Sequence, residues 1–258
     1  MRRGDPIPCL GLTLYPIKMS HYEQFIRCRD ALTLRIGTLP VRYLSLDFLS
    51  AIFALEIDRL KDGERVGLVE RVLRLFTLSL GIERDVDSLE SLIAVKEENG
   101  LIVPSKLCVT QDGKAVELSS FEFSSVIRPI LAEQNGLVLP SEEDNADIIR
   151  AAEQKHSISD RELRLRHDVG DLISSVAYLS GVREVDISEW SVREFESRRR
   201  AIDRDKRYML YAAAELSGMV SFKNGNPAVS WCFDAMDDSL GTMQTSTLEK
   251  TLSGVVSQ

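Results

Sequence analysis

The chain has 258 residues, of which 44% are hydrophobic and 28% are charged, and its formal net charge is −8. This composition is typical of a globular protein and excludes a disordered or fibrous one. A net acidic charge disfavours nucleic-acid binding, because nucleic-acid-binding domains are usually basic. No stretch approaches the roughly 18 apolar residues that span a bilayer, so no membrane segment is predicted.

The cysteines and the first residues indicate where the protein works. Four cysteines are widely spaced without a C-x-x-C pair, which excludes a zinc ribbon and a redox motif. We expect them to be small buried hydrophobic residues in a reducing compartment. Residues 1–18 contain three prolines and no continuous apolar core, so they do not resemble a signal peptide. A cytoplasmic location is therefore predicted.

The first predicted region, residues 1–84, is helical. Apolar side chains recur at helical spacing over residues 18–36 and predict the first helix. A second helix is expected after Ser45, which is a favourable N-cap. This helix is apolar on nearly all sides, so we expect it to be central and Phe53 to be buried. A third amphipathic helix is predicted over residues 65–80.

Residues 85–140 are predicted to form a β-meander followed by a helix. An Asn-Gly pair at 99–100 and an Asp-Gly pair at 112–113 are strong hairpin signals between β-prone runs. They predict three strands, at about 91–97, 101–109 and 114–118. Pro104 predicts an irregular or exposed second strand, because proline cannot donate a ladder hydrogen bond. The helix that follows is expected to be interrupted at Pro129.

Residues 141–234 are predicted to form a C-terminal helical region that ends in an aromatic clasp. Two of its helices are expected at roughly 159–180 and 190–217, and Ser188 is a candidate N-cap for the second of them. After the second helix, a short extended piece and a turn would fold Trp231 back onto apolar surface. The sequence thus places the longest helix of the chain next to this clasp.

The complete pattern predicts an α-rich α+β fold. We expect a helical bundle-like core with a small antiparallel β-meander as an insertion. Residues 235–258 are rich in Ser, Thr and Gly and poor in aromatic residues, which predicts a flexible tail.

The helix over 190–217 contains a seven-residue repeat. Its apolar seam residues are Phe195, Ile202, Met209 and Leu216. Arg199 and Lys206 occupy half of the other seam position, so the coiled-coil signature is weak. One interpretation is an amphipathic helix packed on its own domain, and the other is a partner-binding helix. Trp231 has the same two interpretations, core closure or partner contact.

The sequence contains few candidates for catalytic or metal-binding residues. His156 and His167 are eleven residues apart, which is about 16 Å along a helix and too far for one metal ion. Asp168 and Asp171 could face one side of a helix, and with His167 they are the least implausible catalytic residues. No phosphate-cradling or nucleophile-elbow motif occurs. The sequence therefore predicts no enzyme activity, no cofactor and no metal.

Two blocks of sequence resemble a known family. They are Leu12–Leu55 and Tyr208–Asp234. The resemblance rests on "LYPIK" before a Tyr/Phe-containing helix, "LP" before "YLS", and "SG" followed by "FK" and a tryptophan. The chain is similar here to tail-region proteins of phages and prophages of Gram-positive bacteria, which are commonly assigned as tail assembly chaperones.

The resemblance implies a non-enzymatic assembly factor in the cytoplasm of the bacterial host. Such a chaperone would keep the long helical tape-measure protein soluble while tail-tube subunits polymerise around it. Suspected partners are therefore the tape-measure and tail-tube proteins. Two alternatives stay open: a structural component retained in the tail or baseplate of the virion, and an enzyme with an unrecognised site. The sequence does not define the oligomeric state.

Overall fold

The computed structural model of the chain describes residues 5–82, 92–98, 100–140 and 169–218. The α-rich α+β prediction is confirmed. The helices are α1 (Tyr22–Leu32), α2 (Phe48–Lys61), α3 (Leu68–Ser79), α4 (Ser120–Glu122), α5 (Arg128–Gln134), α6 (Val169–Ser180), α7 (Glu184–Ile187) and α8 (Val192–Leu216). The strands are β1 (Ile7–Cys9), β2 (Leu12–Leu14), β3 (Ile93–Glu98), β4 (Leu101–Gln111) and β5 (Lys114–Ser119).

The chain forms two compact units. The described residues up to 140, together with residues 169–199, belong to the first unit, and residues 200–218 belong to the second. The boundary falls inside α8, between Arg199 and Arg200. All five strands and α1–α7 of the described ranges therefore lie in the first unit.

A two-stranded hairpin opens the fold, and the sequence analysis did not predict it. Strands β1 and β2 pair antiparallel, with Cys9 opposite Leu12. The two residues of the turn, Leu10 and Gly11, both have positive φ, at 49° and 80°. Turns of this kind favour Asn-Gly or Asp-Gly, and leucine rarely adopts a positive φ. The turn therefore carried no recognisable sequence signal.

Helix α2 packs against β4 and α3, and two expectations about it need correction. Its N-cap is Asp47, whose carboxylate accepts a hydrogen bond from the backbone N–H of Ser50 at 3.1 Å, and not Ser45. Phe53 is half-buried, whereas Phe48 at the start of the helix is only 2% exposed. An apolar helix can lie on one side of a core, and part of its surface then stays accessible.

The three-stranded meander is confirmed, with β4 in the centre. The predicted irregularity at Pro104 is present, because the pairing of β3 with β4 shifts between Ala94 and Val95. Val95 lies opposite Pro104 and Ala94 lies opposite Lys106, so one residue of β4 is left over. This is the arrangement of a β-bulge, which accommodates the missing N–H of proline.

The expected interruption of the following helix at Pro129 is wrong. The chain runs from α4 through a π-helical turn, Phe123–Ile127, directly into α5. The backbone N–H of Arg128 bonds to the carbonyl of Phe123, five residues back. Pro129 has no backbone N–H to donate within the helix. The wider π-helical turn immediately before it accommodates the missing hydrogen bond, so the helix continues.

Buried amide side chains hold the N-terminal segment, residues 13–17, against the rest of the first unit. They are Gln111, Gln134 and Asn135. The Gln111 amide both accepts from the backbone N–H of Thr13 at 2.8 Å and donates to its carbonyl at 2.9 Å. Gln134 donates to the carbonyl of Leu14 at 2.9 Å, and Asn135 accepts from the backbone N–H of Ile17 at 2.9 Å. These amide side chains thus satisfy backbone N–H and C=O groups of the N-terminal segment that would otherwise need a neighbouring strand.

A tyrosine–carboxylate pair joins the chain just before α2 to the C-terminal part of α2. The phenol of Tyr43 is buried and donates to Asp58 Oδ2 at 2.8 Å. Arg42 and Lys61 form ion pairs with the same carboxylate, at 3.1 and 3.0 Å. The hydrogen bond from Tyr43, with help from the two cations, holds the pKa of Asp58 below its usual value.

We expect Tyr43→Phe to lower the free energy of unfolding at neutral pH by about 1.5–3 kcal/mol, the usual contribution of a hydrogen bond to a charged group. Because the folded-state pKa of Asp58 is depressed, its contribution is present above the unfolded-state pKa. It is lost as pH falls through the folded-state value. The difference between variant and wild type should therefore shrink in acid. Urea denaturation across the acidic range measures it, and a difference independent of pH would contradict the assignment.

Candidate functional site

The N-terminal end of α8 is built into the core of the first unit. Phe195 is fully buried, and its ring meets that of Tyr22 edge-on at 5.8 Å between centroids. The Tyr22 hydroxyl donates to Glu196 at 2.7 Å. Burial, and then the hydrogen bond and charge of Glu196, raise the pKa of Tyr22. Phe195, a predicted partner-binding residue, therefore packs inside its own unit.

The cap of this helix also differs from the prediction. Ser191 Oγ accepts from the backbone N–H of Glu194 at 3.1 Å, as an N-cap does. The hydroxyl of Ser188, the predicted cap, instead donates to the carbonyl of Val185 at 2.7 Å. The short helix α7 was not predicted, and it ends next to Ser188. The N-cap of α8 therefore lies three residues further along the chain, at Ser191.

The C-terminal half of α8 exposes apolar side chains, and it belongs to the second unit. Met209 is 60% exposed, Leu210 is 67% exposed and Leu216 is 89% exposed. Ile202 is half-buried and Ala213 is exposed. We call these five residues the apolar stripe.

Helix geometry places the apolar stripe on one face. At about 100° per residue, its five side chains fall within an arc of about 120°. From Ile202 to Leu216 the stripe is about 21 Å long at 1.5 Å per residue. Apolar residues at such spacing normally face a protein core. Here three of the five are large and more than half exposed, which is characteristic of a docking surface.

The sequence pattern includes four members of the stripe and misses Leu210. Ile202, Met209 and Leu216 belong to the apolar seam position of the seven-residue repeat. Ala213 belongs to the other seam position, together with Arg199 and Lys206. The signal for Leu210 was the run "YMLYAAAEL", which is apolar around the whole helix. The two parts of α8 differ in side-chain exposure. Phe195, in the first unit, is fully buried, whereas most of the stripe, in the second unit, is exposed.

Several residues of the predicted sites lie outside the described residues. They are the predicted partner contact Trp231 and the candidate catalytic residues His167 and Asp168. The predicted tail and nearly all of the aromatic clasp also lie outside the described residues. Asp171 lies in the first turn of α6 and is exposed. An exposed carboxylate on a helix surface is poorly suited to acid–base catalysis, which depends on a pKa tuned by burial and neighbours.

A cluster of polar side chains surrounds Asp47, where α2 begins. Its carboxylate accepts hydrogen bonds from the hydroxyls of Ser50, Ser120 and Ser124 at 2.7, 3.0 and 2.7 Å. Ser124 also accepts from the backbone N–H of Leu49 at 3.0 Å. The cluster satisfies free N–H groups at the start of α2, and the Asp47 carboxylate that accepts the three hydroxyl hydrogen bonds serves there as the N-cap.

Within the described ranges, no group of three or more His, Cys, Asp or Glu side chains is placed to hold a metal ion. No described helix is both long enough and apolar enough to cross a bilayer. Cys28 is buried as expected, but the expectation is wrong for Cys108, which is exposed on β4. Side chains alternate between the two faces of a strand, and Cys108 falls on the outer face.

Comparison of the chain with protein-family models, curated proteins and solved structures finds no match.

Proposed function

We propose that this protein is a non-enzymatic assembly factor that binds a helical client through the apolar stripe. The observation that carries the proposal is the exposure of Met209, Leu210 and Leu216 on one face of a single helix. An amphipathic helix contacts a partner through residues at i, i+3, i+4 and i+7, and Met209, Ala213 and Leu216 occupy the i, i+4 and i+7 positions of this spacing. Burying one Met or Leu side chain contributes about 1.5–3 kcal/mol, so a few contacts suffice for reversible binding.

The proposed setting is phage tail assembly in the cytoplasm of a bacterial host. It is supported by the resemblance of the Leu12–Leu55 and Tyr208–Asp234 blocks to tail assembly chaperones. The second block begins inside α8 and includes most of the stripe. The proposed clients are the tape-measure protein, which is a long helical chain, and the tail-tube subunits. Methionine adapts to varied apolar surfaces, which suits a factor that must release its client.

Met209→Asp is expected to abolish retention of the tape-measure protein in a pull-down from co-expressing cells. A buried carboxylate without a partner is strongly unfavourable at an apolar contact. The position is exposed, so the variant should fold, and circular dichroism checks this. Tyr178→Asp is the matched control, because Tyr178 is 86% exposed on α6 in the first unit.

Retention of the client by Met209→Asp at the wild-type level would refute the stripe as the binding surface. Loss of the client with Tyr178→Asp as well would show a general effect of added charge. Mass spectrometry of purified virions separates an assembly factor from a retained tail component. Stoichiometric presence of the chain in particles would contradict the chaperone role.

A further inference from the structure

A single cation lies inside the apolar stripe. Lys206 is four residues after Ile202 and three before Met209, so its position falls between the two edges of the stripe. The side chain is exposed. Among the described residues, no ion pair of Lys206 is found. Any helix that covers the stripe must therefore also cover this ammonium group or lie against it.

The charges around the stripe do not select a partner by themselves. Residues 200–216 contain four basic and three acidic side chains, so their net charge is close to neutral. Charges at the rim of an interface change affinity little, because solvent and salt screen them. An ammonium within the contact is different, since leaving it desolvated without a carboxylate is costly.

We infer that the client helix carries a Glu or Asp within its own apolar seam, opposite Lys206. This inference rests on the proposed function of the stripe and adds the charge of the partner to it. A polar residue inside an otherwise apolar seam fixes register and partner choice. The lysine thereby sets where along the stripe the client helix lies, and it discriminates against purely apolar helices.

A second copy of this chain fits the stripe less well. In a parallel pair in register, Lys206 of one copy would face the same lysine of the other, and like charges in contact are unfavourable. No residue of the stripe is acidic, and the nearest carboxylates, Asp203 and Asp205, lie about 20° outside its two edges. The lysine thus opposes self-association and favours an acidic client.

The test uses the full-length protein and two synthetic amphipathic helices. The two peptides are identical except for one central seam residue, which is Glu in the first and Lys in the second. Fluorescence anisotropy measures both dissociation constants. We expect the Glu peptide to bind wild type at least about tenfold more tightly, since close interfacial charge pairs couple by about 1.5 kcal/mol or more. Lys206→Glu should reverse the preference, and Lys206→Met should remove it.

The controls separate failure of the inference from failure of the proposed function. Arg200→Glu makes a similar charge change on another face of the same helix, and it should leave the peptide preference unchanged. Equal binding of both peptides to wild type would overturn the acidic-client inference and leave the docking surface intact. Absence of binding by either peptide would overturn both. A wild-type dimer that Met209→Asp dissociates would also overturn the inference, because a second copy would then occupy the stripe.

Discussion

Phe123→Ala is expected to lower the free energy of unfolding by about 3–5 kcal/mol, the range for truncating an aromatic residue in a core. Phe123 is fully buried in the π-helical turn, and its ring meets that of Phe76 edge-on at 5.3 Å. The substitution leaves a cavity beside Phe76 and removes an aromatic pair. Because whole-domain stability is commonly about 5–15 kcal/mol, the variant should be close to unfolding.

Phe121→Ala provides a matched control two residues away. Phe121 is 68% exposed on α4, so its truncation removes little buried surface. Urea denaturation of both variants gives the comparison, provided that the slope of the transition stays constant. Equal midpoints for Phe123→Ala and Phe121→Ala would show that the π-helical turn does not direct Phe123 into the core.

Arg128→Met is expected to cost about 2–4 kcal/mol, since it leaves two backbone acceptors without their donor. Arg128 is only 7% exposed, and its guanidinium donates to the carbonyls of Leu32 at 3.0 Å and Leu34 at 2.8 Å. Its Cζ atom lies 3.5 Å from the ring centroid of Phe48. Methionine can replace the packing on the ring but cannot donate a hydrogen bond.

Thermal and urea unfolding of Arg128→Met should be compared with Arg193→Met. Arg193 also donates to a backbone carbonyl, that of Glu133 at 2.6 Å, but this bond is exposed to solvent. Water can replace its donor, so we expect a loss below about 1 kcal/mol. Arg128→Lys should be intermediate, because an ammonium lacks the planar fork that bonds both carbonyls. A loss no greater for Arg128→Met than for Arg193→Met would contradict the role assigned to the buried guanidinium.

The sequence predicted the elements whose signals are local. The meander followed from its two hairpin turn signals, and Pro104 predicted the irregular strand pairing. The hairpin at Leu10 was missed because its turn does not use the residues that such turns favour. Phe53 was misplaced because an all-apolar helix does not reveal which of its sides faces the core. That information depends on neighbours distant in sequence.

The candidate site was predicted in part, for a similar reason. A seven-residue repeat identifies side chains on one face of a helix, but it does not identify what that face contacts. Phe195 and Met209 occupy the same repeat position, yet one is fully buried and the other is 60% exposed. Phe195 packs against Tyr22 in the first unit, whereas Met209 belongs to the second unit. Whether a residue of the repeat is buried depends on packing against parts of the chain that are distant in sequence. The repeat itself does not contain this information.

The amide contacts of the N-terminal segment have a consequence for synthesis on the ribosome. The hydrogen bonds of Gln111, Asn135 and Gln134 to this segment span 98, 118 and 120 residues of sequence, respectively. Contacts between such distant residues form slowly, since a long loop must close first. The N-terminal segment leaves the ribosome before these partners and must therefore wait for them to emerge. We expect it to be made before Gln111, Gln134 and Asn135 and to be among the latest parts of the first unit to adopt its final position.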